Sequence, residues 1–197
     1  LFWASLMIGR WTSAAGIFSD KKLIKRVLSF ILPYGAFGVF VLVNTINNQD
    51  LEPLYFYSVL ILLVICGDWL SKGNPSRQLM IYSALGIAAL LTGMYTTGIT
   101  SIYAIISVGL FCSTLWPCIF TLAIAGLGSF TNKASGYLIM MIMGGGIISL
   151  LQGFLADHPT IGIKNSFWVG AACFAYLFVY SILSKRILIK KGITYDA

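Results

Sequence analysis

Apolar residues fall in seven long runs, at 1–19, 28–46, 54–70, 79–97, 102–124, 137–156 and 167–183, separated by short segments that carry most of the charge. A helix needs roughly 20 mostly apolar residues to cross about 30 Å of hydrocarbon at 1.5 Å rise per residue. The pattern therefore predicts seven spans, or nearly so, in an all-α polytopic membrane bundle. Two of the runs are interrupted at mid-span. Pro117 lies deep inside the fifth, and Gly144, Gly145 and Gly146 follow one another in the sixth. Proline removes a backbone donor and clashes with the preceding turn, and glycine costs about 1 kcal/mol relative to alanine in a helix interior. Such residues persist in membrane helices where a neighbouring helix or a cavity re-satisfies the backbone. The stretch 109–157, which joins the two, reads as a pair of broken, closely packed helices of the kind found in transporters.

Composition agrees with the runs. Hydrophobic residues make up 58% of the chain and charged residues 10%, and mean hydropathy is +0.89, outside the range of soluble domains. The net charge of +7 does not mark a nucleic-acid surface, because the cations cluster in alternate loops. Lys21, Lys22, Lys25 and Arg26 precede the second run, Lys72 and Arg77 follow the third, Lys133 follows the fifth, and Lys185, Arg186, Lys190 and Lys191 follow the seventh. The intervening loops hold Asp50, Glu52 and Asp157 with Lys164. The positive-inside rule makes the first set cytoplasmic, with a cytoplasmic carboxyl terminus, and starts Leu1 on the outer side. With no initiator Met and no visible signal region, the expectation is a fragment of a longer protein.

Catalytic and metal chemistry find little support. Cys66, Cys112, Cys118 and Cys173 lie inside predicted spans without a CxxC pair, and the single His158 falls in an outer loop, so neither a disulfide framework, a metal site nor a cofactor is expected. Phosphate-binding glycine loops, HExxH and GxSxG are absent from the sequence.

The residues at 109–157 resemble the fucose-proton symporter family of the major facilitator superfamily, which includes bacterial glucose and galactose transporters. Trp116-Pro117-Cys118-Ile119-Phe120 and the later Gly126-Leu127-Gly128 are similar to the aromatic-Pro-Thr-Ile-Phe and Leu-Gly of that family's tenth helix and its exit. Thr131, Ser135, Met140, the triple glycine and Gly153-Phe154-Leu155-Ala156-Asp157 match its eleventh. Gly9-Arg10-Trp11-Thr12 resembles the Gly-Arg-aromatic-Thr-Gly of its eighth, with Ser13 in place of the last glycine. The resemblance implies most of a carboxyl-terminal bundle, lacking the amino-terminal half and one helix of its own half. Residues 20–73 then form an inserted two-helix hairpin, turning outside at 47–53 and expected to pack on the outside of the bundle.

Candidate contacts follow from these assignments. In the superfamily the tenth helix lines the central cavity, so the resemblance makes the fifth span the candidate sugar wall. Ser113, Pro117 and Thr121 share a face at four-residue spacing, with Trp116 beside it and Cys112 one turn before Trp116. Sugars are held by hydroxyl hydrogen bonds and an aromatic plane. The competing role for Ser113 and Thr121 is bonding to their own helix backbone near the proline. Gly145, Ser149 and Gly153 form a small-residue stripe suited to close approach and gating, with Gln152 beside it as a substrate contact or a polar cap. Arg10, a charge inside a span, serves either a substrate or coupling network or a structural bond to backbone carbonyls. Asp68, near the cytoplasmic edge, reads as a solvated carboxylate, so coupling carboxylates belong to the missing half.

The expected function is secondary uptake of a monosaccharide such as fucose, glucose or galactose across a bacterial inner membrane by alternating access. The partners are the sugar, a coupling proton or another cation, the bilayer and the amino-terminal half, with no nucleic acid. The alternatives are a polytopic membrane enzyme or assembly factor, and a transporter-fold sensor or carrier of another small polar solute.

Overall fold

The computed structural model describes residues 2–18, 22–46 and 52–193, and no strand occurs among them. Ten α-helices follow in order: α1 (Phe2–Phe18), α2 (Lys22–Ile46), α3 (Glu52–Ser71), α4 (Pro75–Tyr95), α5 (Ile99–Cys112), α6 (Leu115–Ile124), α7 (Thr131–Met140), α8 (Gly144–Asp157), α9 (Gly162–Ser166) and α10 (Trp168–Lys190). Five helical stretches are long and apolar enough to cross a membrane: Val27–Ile46, Pro75–Tyr95, Ile99–Ile124, Gly128–Asp157 and Gly162–Lys190. The other two predicted spans are helical too, as α1 and α3, but their described apolar lengths are shorter. Residues 19–21 and 47–51, on which Lys21, Asp50 and most of the hairpin's outer turn fall, lie outside the described residues.

The core runs along α4, which packs against α10, α5, α6 and α3. Leu79, Tyr82 and Leu90 of α4 are buried among Val64 and Ile65 of α3, Leu110 and Phe111 of α5, Leu122 of α6, and Ala171 and Phe174 of α10. Gly86 makes room for the Phe174 ring, whose Cδ1 would lie 2.7 Å from a Cβ built there.

Helix α3, the second half of the expected hairpin, enters this bundle, while α2 lies against α1 and keeps a broad exposed face. Ile61 of α3 is 0% exposed, and Tyr57, Val64 and Ile65 are buried with it, against α4, α1, α2 and α5. These positions recur at three- and four-residue steps, so one stripe of a mostly apolar helix enters the core. Leu62, Leu63 and Leu70 on the other side stay exposed. Tyr34 of α2 donates to the Ser58 carbonyl at 3.3 Å, and Phe30 meets Trp69 edge to face.

The turn from α3 to α4 is short because its residues suit it. Lys72 and Gly73 take positive φ of 51° and 75°. Asn74 then caps α4, its side chain accepting from Ser76 N and Arg77 N, with Pro75 in the first turn.

The link between the fifth and sixth apolar runs is shorter than the 125–136 gap between them. Gly126 and Gly128 turn the chain at positive φ, a 3₁₀ turn covers Gly128–Phe130, and α7 starts at Thr131. The hydroxyls of Thr131 and Ser135 bond to Gly128 O and Thr131 O, so these polar residues extend a helix instead of a loop. A second 3₁₀ turn, Met141–Met143, separates α7 from α8 just before the triple glycine.

Candidate functional site

The fifth span breaks where α1 crosses it. Helix α5 ends at Cys112 and α6 begins at Leu115, with Ser113 and Thr114 between them. Pro117 causes this break from downstream. It stands in the first turn of α6, where a missing N–H is tolerated, and the chain leaves the helix one turn earlier. The backbone bond from Cys118 N to Thr114 O is correspondingly long, at 3.4 Å.

Close approach of α1 fixes the upper side of the break. A Cβ on Gly9 would overlap Ser113 Oγ and lie 2.9 Å from the Leu110 carbonyl oxygen, and a Cβ on Gly109 would lie 3.0 Å from Phe2 and Ser5. Glycines on both helices thus bring the backbones together, with the buried Ser5 between them.

The candidate side chains divide accordingly. Ser113 is buried and donates to Leu110 O at 2.6 Å. Thr121 is half-buried and donates to Pro117 O at 2.9 Å. Both hydroxyls are thus engaged with their own helix. Cys112 is half-buried against the core. Trp116 is 39% exposed and lies tilted against Phe120, with ring centroids 6.4 Å apart, so its indole keeps an open face.

Sequence reasoning missed Thr114. Its hydroxyl is buried in the break and has no hydrogen-bond partner among the described residues. The signal was its place three residues before Pro117, in the turn a proline disturbs.

Arg10 is exposed on α1 and lines an open depression of about 330 Å³ with Trp3, Leu6, Met7 and Trp11. These five residues form one helical stripe, while Ser5, Ile8 and Gly9 form the buried stripe behind it. None of Cys112, Ser113, Trp116, Thr121 and Gln152 lines that depression. The side chains of Thr12 and Ser13 lie outside the described residues.

The stripe on α8 has no neighbour within the described residues. Nothing lies within 4 Å of a Cβ built on Gly144, Gly145, Gly146 or Gly153, and α7 and α8 contain no buried residue. Ser149 donates to Gly145 O at 2.8 Å, and Gln152 is half-buried. Close packing inside this chain is found instead at Gly9, Gly109 and Gly86.

Asp68 is not the solvated carboxylate its position suggested. It is half-buried and accepts from Gln78 Nε2 at 3.1 Å, because the short turn sets the ends of α3 and α4 side by side.

A glucose/galactose transporter of Brucella abortus (strain 2308) is 37% identical over 190 residues, covering 85% of this chain and 46% of the relative. The L-fucose-proton symporter of Escherichia coli (strain K12) is 32% identical over 116 residues, or 58% of this chain and 26% of the symporter. The likeness covers most of the chain and is consistent with the fucose-proton symporter family. A putative glucose/galactose transporter of Helicobacter pylori (strain J99 / ATCC 700824) extends the likeness at 26% identity over 185 residues, 87% of this chain and 46% of that protein. The chain spans about half the length of the glucose/galactose transporters it matches. No family model and no solved structure matches it. The likeness to transporters, together with the five membrane-length helices, makes this a multi-pass membrane protein.

Proposed function

We propose that this chain is the larger part of the carboxyl-terminal bundle of a monosaccharide transporter that works by alternating access, coupled to protons, in a bacterial inner membrane. The observation that carries the reading is the likeness to proteins named for glucose/galactose transport across 85% of the chain. The name of the fucose relative adds the proton as the coupling ion.

The geometry supports a division of labour. Helix α1 offers a guanidinium and two indoles that line an open depression, and a charge on an apolar helix is stable where water or polar partners reach it. Helix α6 offers the open indole of Trp116 beside a break. Together they supply a cation, aromatic planes and irregular backbone, the groups that hold a polyhydroxylated ring. The unpartnered stripe on α8 supplies a smooth face for the amino-terminal half to slide on during rocking. The carboxylates that carry protons belong to that half. The loop charges orient the carboxyl terminus to the cytoplasm, and residues 20–73 are a hairpin insertion whose second helix braces the core.

Counterflow tests the carrier reading without any gradient. Proteoliposomes of the full-length protein, preloaded with unlabelled sugar, should transiently accumulate external labelled sugar. Failure to do so with glucose, galactose and fucose alike contradicts it.

A further inference from the structure

A polar string crosses the junction of three helices and has no part in the transport account above. Asp68 lies in the last turn of α3, Gln78 in the first turn of α4, and Cys118 in the first turn of α6. Gln78 Nε2 donates to Asp68 Oδ1 at 3.1 Å, and Cys118 Sγ donates to Gln78 Oε1 at 3.4 Å. A carboxylate only accepts, so the amide must turn its NH₂ to Asp68 and its oxygen to the thiol. Both ends of the Gln78 side chain are thereby committed.

The surroundings keep the string in place. Cys118 is buried, and Asp68 and Gln78 are half-buried. Beside them the Tyr82 hydroxyl donates to Val64 O at 2.9 Å, tying α4 to α3 a second time. The Tyr82 ring rests over Gly67, where an added Cβ would lie 3.1 Å from its edge. In such a low-dielectric junction a hydrogen bond to an ionised acceptor is among the stronger ones available.

The string ends at the weak point of the fifth span. Pro117 offers no N–H to Ser113 O, and the next backbone bond, Cys118 N to Thr114 O, is stretched to 3.4 Å. The α5 side of the break is held by Gly9 and Gly109 against α1. On the α6 side the backbone is loosened, and the side chain of Cys118, two residues from Trp116, reaches α4 and through it α3.

We propose that Gln78 is a positioning residue. Clamped by the Asp68 carboxylate, it sets the angle of α6 through Cys118 and so places the Trp116 indole. The consequence for Trp116 rests on its reading as a sugar contact; the mechanical link between α3 and α6 does not.

The test uses the full-length protein in proteoliposomes, with Gln78→Leu, Cys118→Val, the double variant, and Cys118→Ser, which keeps a donor. Peptide-resolved alkylation by N-ethylmaleimide reads the link directly, with Cys66 and Cys173 as internal references. Gln78→Leu should raise the Cys118 rate severalfold and leave those two unchanged. In sugar uptake, Gln78→Leu and Cys118→Val should each raise KM severalfold with a smaller change in maximal rate. The double variant should be no worse than the worse single, and Cys118→Ser should stay near the starting protein. Unchanged Cys118 reactivity in Gln78→Leu, or additive losses in the double variant, overturns the proposal. A reactivity change in a protein that moves no sugar upholds the link and removes the sugar reading. If Gln78→Leu fails to fold, the Cys118→Val and Cys118→Ser pair decides, and equal KM values for those two overturn the proposal.

Discussion

Ser113 sits against Gly9 so closely that a methyl group on Gly9 would overlap the Ser113 hydroxyl. The hydroxyl cannot swing away cheaply, because it is bonded to Leu110 O, and that same carbonyl oxygen borders the site. Gly9→Ala should therefore destabilise the protein by about 1–3 kcal/mol, the usual range for overpacking. Thermal unfolding of the purified full-length protein checks this, and Ser113→Gly should recover part of the loss. An unchanged melting temperature in Gly9→Ala would show that α1 does not cross the break this closely.

Tyr82 joins α4 to α3 through its hydroxyl and the Val64 carbonyl. Tyr82→Phe keeps the ring in the core and removes that bond, so a loss of about 0.5–1.5 kcal/mol is expected. Denaturation in mild detergent measures it. A larger loss would mean that Val64 O is left unsatisfied as well.

The helices were legible because a bilayer imposes a length, and apolar runs of that length stand out in any sequence. The break near Pro117 was legible too, yet the helix parts at Ser113–Thr114, because a proline disturbs the turn before it. Glycine spacing misled in one respect. The regular stripe of Gly145, Ser149 and Gly153 meets nothing within the described residues, while Gly9 and Gly109 make close crossings without forming a repeat. Spacing reveals which residues share a face and not what faces them. Asp68 and Gln78 could be paired only once the left-handed turn at Lys72 and Gly73 was known to be tight. The depression around Arg10 depends on which stripe of α1 is buried, and an apolar helix with one charge does not declare that.

Trp116→Ala should weaken sugar binding about tenfold, in line with loss of one aromatic contact of about 1 kcal/mol or slightly more, with membrane abundance retained. Its exposed indole makes few demands on the core. Binding isotherms compared with immunoblot abundance separate the cases. Equal losses of both would assign Trp116 to packing.

Gly145→Leu should leave folding of this bundle intact, since a side chain there enters open space within the described residues. Transport should nonetheless fall severely, because the stripe is the face assigned to close approach in the conformational cycle. Normal abundance with transport near zero is the expected pair. Unchanged transport would refute the assignment.

Arg10→Lys keeps a charge in the depression that Trp3 and Trp11 also line, but loses the planar fork of donors. Sugar affinity should drop severalfold while protein abundance holds. A full-strength Arg10→Lys protein would make Arg10 a simple structural cation.

Concentrative uptake tests the central claim most directly. Vesicles holding the full-length protein and an imposed inward proton gradient should accumulate labelled glucose, galactose or fucose above the outside concentration. Adding a protonophore should abolish that accumulation while leaving sugar exchange. Accumulation that survives the protonophore contradicts proton coupling, and no movement of any of the three sugars in vesicles of proven integrity contradicts the account as a whole.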